Sequence, residues 1–86
     1  MCNKQSMQIL LRSLSGQPVL AERGFHFNLE SAEELTVQRG THLRGVWRCA
    51  DGVFTWTPGG YSVPTHTVRN ADDALRYTLV AVSPAT

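Results

Sequence analysis

The sequence predicts an α+β domain, in which a small antiparallel sheet of about four to five strands packs with one short helix and one C-terminal helix. Three patterns predict this fold class. Apolar and polar side chains alternate over residues 25–30, an Asp-Gly dipeptide separates two strand-like segments at residues 51–52, and apolar residues recur with helical spacing over residues 71–82. A small all-β barrel is the alternative if that last segment is a strand.

The chain length allows one hydrophobic core. With 86 residues the chain is shorter than most domains. We expect residues 1–6 to form a flexible N-terminal tail and residues 7–86 to form a single globular domain. A domain of this size buries a modest share of its surface, and association of two copies would enlarge the core. The sequence therefore allows a homodimer as well as a monomer.

The first elements are predicted from short apolar runs and turn residues. Residues 8–14 form an apolar run that is followed by a Ser-Gly-Gln-Pro turn cluster and by residues 19–21, a pattern that predicts a first β-hairpin. Phe25, Phe27 and Leu29 then alternate with polar residues. This alternation predicts a strand with the three apolar side chains on one face.

A helix start is predicted at Ser31. The sequence Ser-Ala-Glu-Glu has the form of a capping box, in which the Ser31 hydroxyl accepts a hydrogen bond from a backbone amide and Glu34 reaches back to the start of the helix. We expect a short helix from Ala32 to Arg39 that ends at Gly40.

The dipeptide Asp51-Gly52 gives the most specific local prediction. Segments 42–50 and 53–57 flank it, and both turn residues tolerate the positive φ angles of a type I′ turn. The register then pairs Trp47 with Trp56. Because side chains alternate along a strand, the face that we expect to be the core carries Trp47, Cys49, Phe54 and Trp56.

The last third of the chain predicts an edge strand and a helix. Residues 61–68 are expected to be extended, with Pro64 confining them to a sheet edge or an irregular position. Asn70 and the two acidic residues after it are typical of a helix N-terminus, and the apolar spacing that follows predicts a helix over residues 71–82. Residues 75–82 are also rich in strand formers, so a closing strand remains the alternative.

The composition of the chain predicts its cellular compartment and excludes or disfavours some classes of partner. Cys2 and Cys49 are too few for a disulfide framework, so we expect two thiols in a cytoplasmic protein, with Cys49 buried in a strand. No segment has the pattern of a signal peptide or a membrane span, so no membrane partner is expected. Eight basic and seven acidic residues give a net charge of +1 without a run of like charges, which makes nucleic acid the less favoured partner. Seven of the basic residues are arginine, a usage that resembles bacterial proteins.

The aromatic residues of the second half are the first candidates for a binding site. They lie close together in sequence with arginines between them, and such a set can anchor a protein partner, hold a planar ligand or stack bases. The candidate ligand- or partner-binding residues are Trp47, Trp56, Tyr61, Arg44 and His66. In so short a chain the tryptophans can instead form the core, and we expect Trp47 and Trp56 to do so.

Three further residues have the spacing of a metal site. The first segment is His26-x-Asn28 followed by Glu33, with six residues before Gly40, and the second is His66, with three residues before Asn70. Together they resemble the two metal-binding motifs of the cupin family. The resemblance covers roughly residues 24–82 and implies a small β-barrel with a divalent metal bound by His26, Glu33 and His66. Asn28 departs from the family pattern, because it stands where a second histidine is expected.

No nucleotide-binding, thiol-redox or hydrolase signature occurs in the chain. The leading hypothesis is therefore a non-enzymatic binding or interaction domain without a cofactor, which engages a protein partner or a small ligand through its sheet. One alternative is a divergent cupin-like metal-dependent enzyme or sensor. A second alternative is a weak nucleic-acid-binding module that uses Arg44, Arg48 and the tryptophans.

Overall fold

The computed structural model describes residues 4–82, and within this range an antiparallel sheet packs with helices on one face. The predicted α+β class is confirmed. The elements in chain order are α1 (Lys4–Ser15), α2 (Pro18–Glu22), β1 (Phe25–Ser31), β2 (Glu34–Arg39), β3 (His42–Ala50), β4 (Val53–Pro58), β5 (His66–Val68) and α3 (Ala71–Val82).

The sheet is an open meander with the strand order β1-β2-β3-β4-β5, and every neighbouring pair is antiparallel. β1 and β5 are its two edges, and they do not pair with each other. The alternative of a cupin-like barrel is therefore wrong. The physical reason is that residues 71–82 form a helix, which packs beside α1 instead of closing the sheet.

The N-terminal segment is helical, so the predicted first hairpin is wrong. Met7, Leu10 and Leu14 are fully buried, and their spacing of three and four residues places them on one stripe of α1. α2 begins with Pro18 in its first turn, where a missing backbone amide costs no hydrogen bond. α1 includes residues 4–6 of the predicted tail, whereas residues 1–3 lie outside the described range.

Residues 34–39 form strand β2, so the predicted helix over Ala32 to Arg39 is wrong. The Ser31 hydroxyl does accept a backbone bond, but the donor is the amide of Glu33, 3.2 Å away, within the turn between β1 and β2. Leu35 and Val37 lie two residues apart on one face of the strand, and both are fully buried. A strand therefore places both side chains beneath the helices, and this packing outweighs the local signal for a helix start.

The β3–β4 hairpin follows the prediction residue by residue. Asp51 and Gly52 have φ angles of 53° and 80°, as a type I′ turn requires. Cross-strand partners include Trp47 with Trp56 and Cys49 with Phe54. The predicted face is the one that contacts the helices, and both tryptophans lie in the core.

The core is centred on Trp47, which has no exposed surface. Its indole ring meets the rings of Phe54, Trp56 and Tyr77 at centroid distances of 6.3, 5.2 and 6.1 Å. The indole Nε1 donates a hydrogen bond of 2.7 Å to the hydroxyl of Thr78, which in turn donates to a backbone carbonyl of α3. Aromatic contact and hydrogen bonding therefore both attach α3 to the middle of the sheet.

Cys49 is half-buried and disulfide-bonded, so the expectation of a buried thiol is wrong. The other cysteine of the chain, Cys2, lies outside the described residues. Among residues 4–82, no helix has the length and hydropathy needed to cross a membrane.

Asn70 caps α3, as the sequence predicts. Its side-chain Oδ1 accepts a 2.8 Å hydrogen bond from the backbone amide of Asp73, and Asp72 and Asp73 lie in the positively polarised first turn. We expect Asn70→Ala to lower the free energy of unfolding by about 1 kcal/mol, measured by urea denaturation. Asn70→Asp keeps the acceptor and serves as the control. Equal losses in the two variants would contradict a capping role.

Candidate anion-binding cleft

The two ends of the sheet differ in charge, which the net charge of +1 conceals. The end that holds the β1–β2 and β3–β4 turns and the start of α3 is here called the acidic end. Six of the seven acidic residues lie in or next to these segments: Glu30, Glu33, Glu34, Asp51, Asp72 and Asp73. The opposite end, with the start of β1 and the β2–β3 turn, is called the arginine end. It carries Arg23, Arg39 and Arg44.

An open cleft of about 880 Å³ lies at the arginine end. Its volume falls within the range typical of small-molecule sites. Cationic and histidine side chains dominate its lining, which comprises Arg23, Gly24, His26, Arg39, Gly40, His42, Leu43 and Arg44. Neither a carboxylate nor a hydroxyl side chain is among these lining residues.

Two tight turns bring the arginines together. Gly24 precedes β1 and Gly40 follows β2, and both have positive φ angles, of 82° and 60°, which favour glycine. Arg39 is fixed by residues at and just before the start of β1. Its Nε donates a 2.9 Å hydrogen bond to the backbone oxygen of Arg23, and its guanidinium lies 5.8 Å from the centre of the Phe25 ring. The start of β1 and the end of β2 are thereby held as one wall of the cleft.

Arg44 is placed by a bulge in β3. The register moves from Val37 opposite Gly45 to Gln38 opposite Leu43, so Arg44 is the extra residue between these pairs. Bulges of this kind redirect a side chain and are frequent at functional sites. Arg44 is half-buried, and its backbone oxygen accepts a 2.9 Å hydrogen bond from the amide of Gly59. The loop after β4 therefore supports the bulge from the other side.

The cleft arginines differ from Arg48 in their charge balance. Arg48 donates to Glu34 at 2.8 Å, forming an ion pair, and also bonds the hydroxyl of Thr57 at 3.2 Å. Arg23, Arg39 and Arg44 have no ion-pair partner among residues 4–82. Like charges that are gathered without a counterion attract anions, and a guanidinium can donate two parallel hydrogen bonds to one carboxylate or phosphate. The cleft is therefore suited to an anionic ligand.

No family model, curated protein or solved structure matches this chain.

The structure separates the predicted binding residues into two groups. Trp47 and Trp56 are 0% and 2% exposed and belong to the core, so they offer no surface to a ligand. Arg44 and Tyr61 lie at the arginine end, and Tyr61 is 63% exposed on the loop after β4. His66 is exposed on β5 and stacks on the ring of Tyr77 with centroids 3.8 Å apart, which attaches the edge strand to α3.

The predicted metal ligands do not converge. His26 lies on β1 and His66 on β5, which are opposite edges of the sheet, and Glu33 lies in the turn at the acidic end. Within residues 4–82 no group of three or more histidine, cysteine or acidic side chains is arranged to hold a metal ion. The strand order is the physical reason, because three intervening strands separate the two histidines.

Sequence reasoning missed most of the cleft. Arg23, Arg39 and His42 were not among the candidate residues, although Arg39, His42 and Arg44 fall within six consecutive positions. That local density of basic and imidazole side chains is the signal that could have found the β2–β3 part of the site. Arg23 gave no such signal, because only the folded chain places it beside Arg39.

Proposed function

We propose that this chain is a non-enzymatic binding domain that holds an anionic, phosphate- or carboxylate-bearing ligand in the cleft at the arginine end. The observation that carries the proposal is the set of three arginines around one cleft, with no acidic residue in its lining and no ion-pair partner within residues 4–82. Such a set would repel itself unless solvent ions or a bound anion neutralised it.

The lining also favours binding over catalysis. Apart from the imidazoles of His26 and His42, the polar side chains that line the cleft are guanidinium groups, which donate hydrogen bonds and positive charge, and no carboxylate, hydroxyl or thiol nucleophile is among them. Arg39 is held by its bond to the Arg23 backbone and by the Phe25 ring, so part of the ordering cost of binding is met before a ligand arrives. These features are typical of a recognition site for a charged group.

A nucleic acid is a less favoured ligand than a small anion. Single-stranded nucleic acids are usually held by aromatic side chains on which the bases stack. On this sheet the rings of Trp47, Phe54 and Trp56 all face the helices and are buried. Tyr61 is exposed near the cleft, but a single ring supplies a small stacking surface. The charge of the ligand therefore matters more than a planar base.

We expect Arg44→Ala to weaken the binding of pyrophosphate by about tenfold to a hundredfold, because a hydrogen bond between charged groups contributes about 1.5–3 kcal/mol. Isothermal titration calorimetry at low ionic strength measures this change. Arg76→Ala is the matched control, since Arg76 is exposed on α3 outside the cleft and its removal changes the net charge equally. We expect the control to bind as the wild type does.

The same titration, repeated with a short DNA or RNA strand, distinguishes a small anion from a nucleic acid as the ligand. Equal losses in the two variants, or no binding by the wild type, would overturn the proposed site. If a short DNA or RNA strand bound more tightly than pyrophosphate, and Arg48→Ala weakened that binding as strongly as Arg44→Ala, the result would favour the nucleic-acid alternative and a footprint across the open face of the sheet.

A further inference from the structure

The edge strand β1 presents an unpaired side. It is seven residues long, and within the described range it pairs with β2 alone. Phe27 and Leu29 are only half-buried although they face the helix side of the sheet. Long edges with partly exposed apolar side chains are templates for pairing with another strand. The free side of β1 is therefore available to pair with another strand.

We propose that two copies of this chain pair through their β1 edges, antiparallel and centred on Asn28, so that two five-stranded sheets join into one. A dimer with twofold symmetry places each residue opposite its mirror position about the centre. In this register Phe27 lies opposite Leu29 of the second copy, and His26 lies opposite Glu30 of the second copy. Each of these pairs occurs twice, once on either side of Asn28.

The pairs match in chemistry on both faces of the joined sheet. Phe27 and Leu29 would cover each other's exposed apolar surface below the helices, adding to the core beneath α1. His26 and Glu30 are exposed and have no ion-pair partner within residues 4–82. An imidazole opposite a carboxylate is a favourable cross-strand pair. β1 is therefore complementary to its own reversed copy.

The charge of the whole sheet supports the same arrangement. Antiparallel pairing places the arginine end of one copy beside the acidic end of the other, so that opposite charges face each other at both ends of the interface. A parallel arrangement would instead bring like charges together. Glu30 is the extra residue of the bulge between Leu29 and Ser31, so the regular part of the ladder around Asn28 ends at Leu29 and the pair of His26 with Glu30 lies at its margin.

Charge exchange between two variants tests both the partner and the register. His26→Glu places a second carboxylate opposite Glu30, and Glu30→Lys places an ammonium group opposite His26, so each variant alone loses its two favourable pairs. We expect sedimentation velocity to show wild-type dimers, and each variant to dimerise about tenfold more weakly or worse. Each heterodimer in a mixture of the two variants gains one new favourable pair, because the carboxylate introduced in one chain faces the ammonium group introduced in the other, and it keeps one original pair of His26 with Glu30. The mixture should dimerise at least as well as the wild type.

This recovery requires both variants to be folded, so misfolding cannot imitate it. A wild type that stays monomeric from micromolar to millimolar concentration would overturn the proposal. Variants that dimerise as the wild type does, or a mixture that stays monomeric, would also overturn it. The proposal goes beyond the anion site, but His26 lines the cleft and the pairing brings Glu30 of the second copy beside it, so His26→Glu alters both the interface and the cleft. Glu30 lies outside the cleft lining, and Arg44 lies on β3 away from the β1 edge, so Glu30→Lys and Arg44→Ala distinguish a failure of the dimer from a failure of the anion site.

Discussion

Trp47→Ala should lower the free energy of unfolding by about 3–5 kcal/mol, the cost of removing a large aromatic side chain from a packed core. Trp47 has no exposed surface and contacts the rings of Phe54, Trp56 and Tyr77. Its loss would also leave the Thr78 hydroxyl without its 2.7 Å donor. Because this one side chain joins the sheet to α3, its removal loosens the docking of that helix, and the effect should exceed that of any exposed substitution.

Urea denaturation followed by circular dichroism measures this loss. Arg48→Ala is the control in the same hairpin, since the side chains of its ion pair with Glu34 are 46% and 35% exposed and the pair should contribute less than about 1 kcal/mol. Trp47→Phe separates the two parts of the effect, because it keeps an aromatic ring and removes the indole donor. An unchanged unfolding midpoint in Trp47→Ala would contradict the position of this residue in the core.

Gly45→Ala should destabilise the fold by about 1–3 kcal/mol, although it adds a single methyl group. A β-carbon at this position would overlap the six-membered part of the Trp56 indole, which lies across the glycine. Trp56 is 2% exposed and packs against Trp47, so its ring has little room to move away. Gly45 is not among the glycines with a positive φ angle, so backbone conformation does not explain the need for glycine here. The close contact with the Trp56 ring does.

A double-mutant cycle tests this cause. Trp56→Phe removes the atoms that the new methyl group would meet, so adding Gly45→Ala to it should cost much less than adding Gly45→Ala to the wild type. Thermal unfolding of the four proteins supplies the comparison. Additive losses would show that the methyl group acts through something other than the indole of Trp56.

Local chemistry predicted the second half of the fold well. The Asp51-Gly52 turn determines the register of its hairpin through two residues with positive φ angles, so the register can be predicted from the turn residues alone. Asn70 likewise caps its helix through an amide three residues away. Such short-range interactions can be identified before the tertiary structure is known.

The first half depends on packing that local sequence does not reveal. Met7, Leu10 and Leu14 have helical spacing, but the apolar run around them also fits a strand, and contact with β1 and α3 decides in favour of the helix. Residues 32–39 have a good helix start at Ser31, yet burial of Leu35 and Val37 in the sheet outweighs it. The cleft could not be predicted without these two features of the fold, because the arrangement of β1 and β2 brings Arg39 beside Arg23.

The central claim is that the unpaired arginines of the cleft bind an anion, and side-chain NMR tests it most directly. In a titration with pyrophosphate, the arginine Nε–Hε signals report each guanidinium separately. We expect the signals of Arg23, Arg39 and Arg44 to shift together and saturate, while those of Arg12 and Arg76 stay in place, since both lie outside the cleft. Shifts of equal size at all these arginines, or none at the cleft arginines, would contradict the claim.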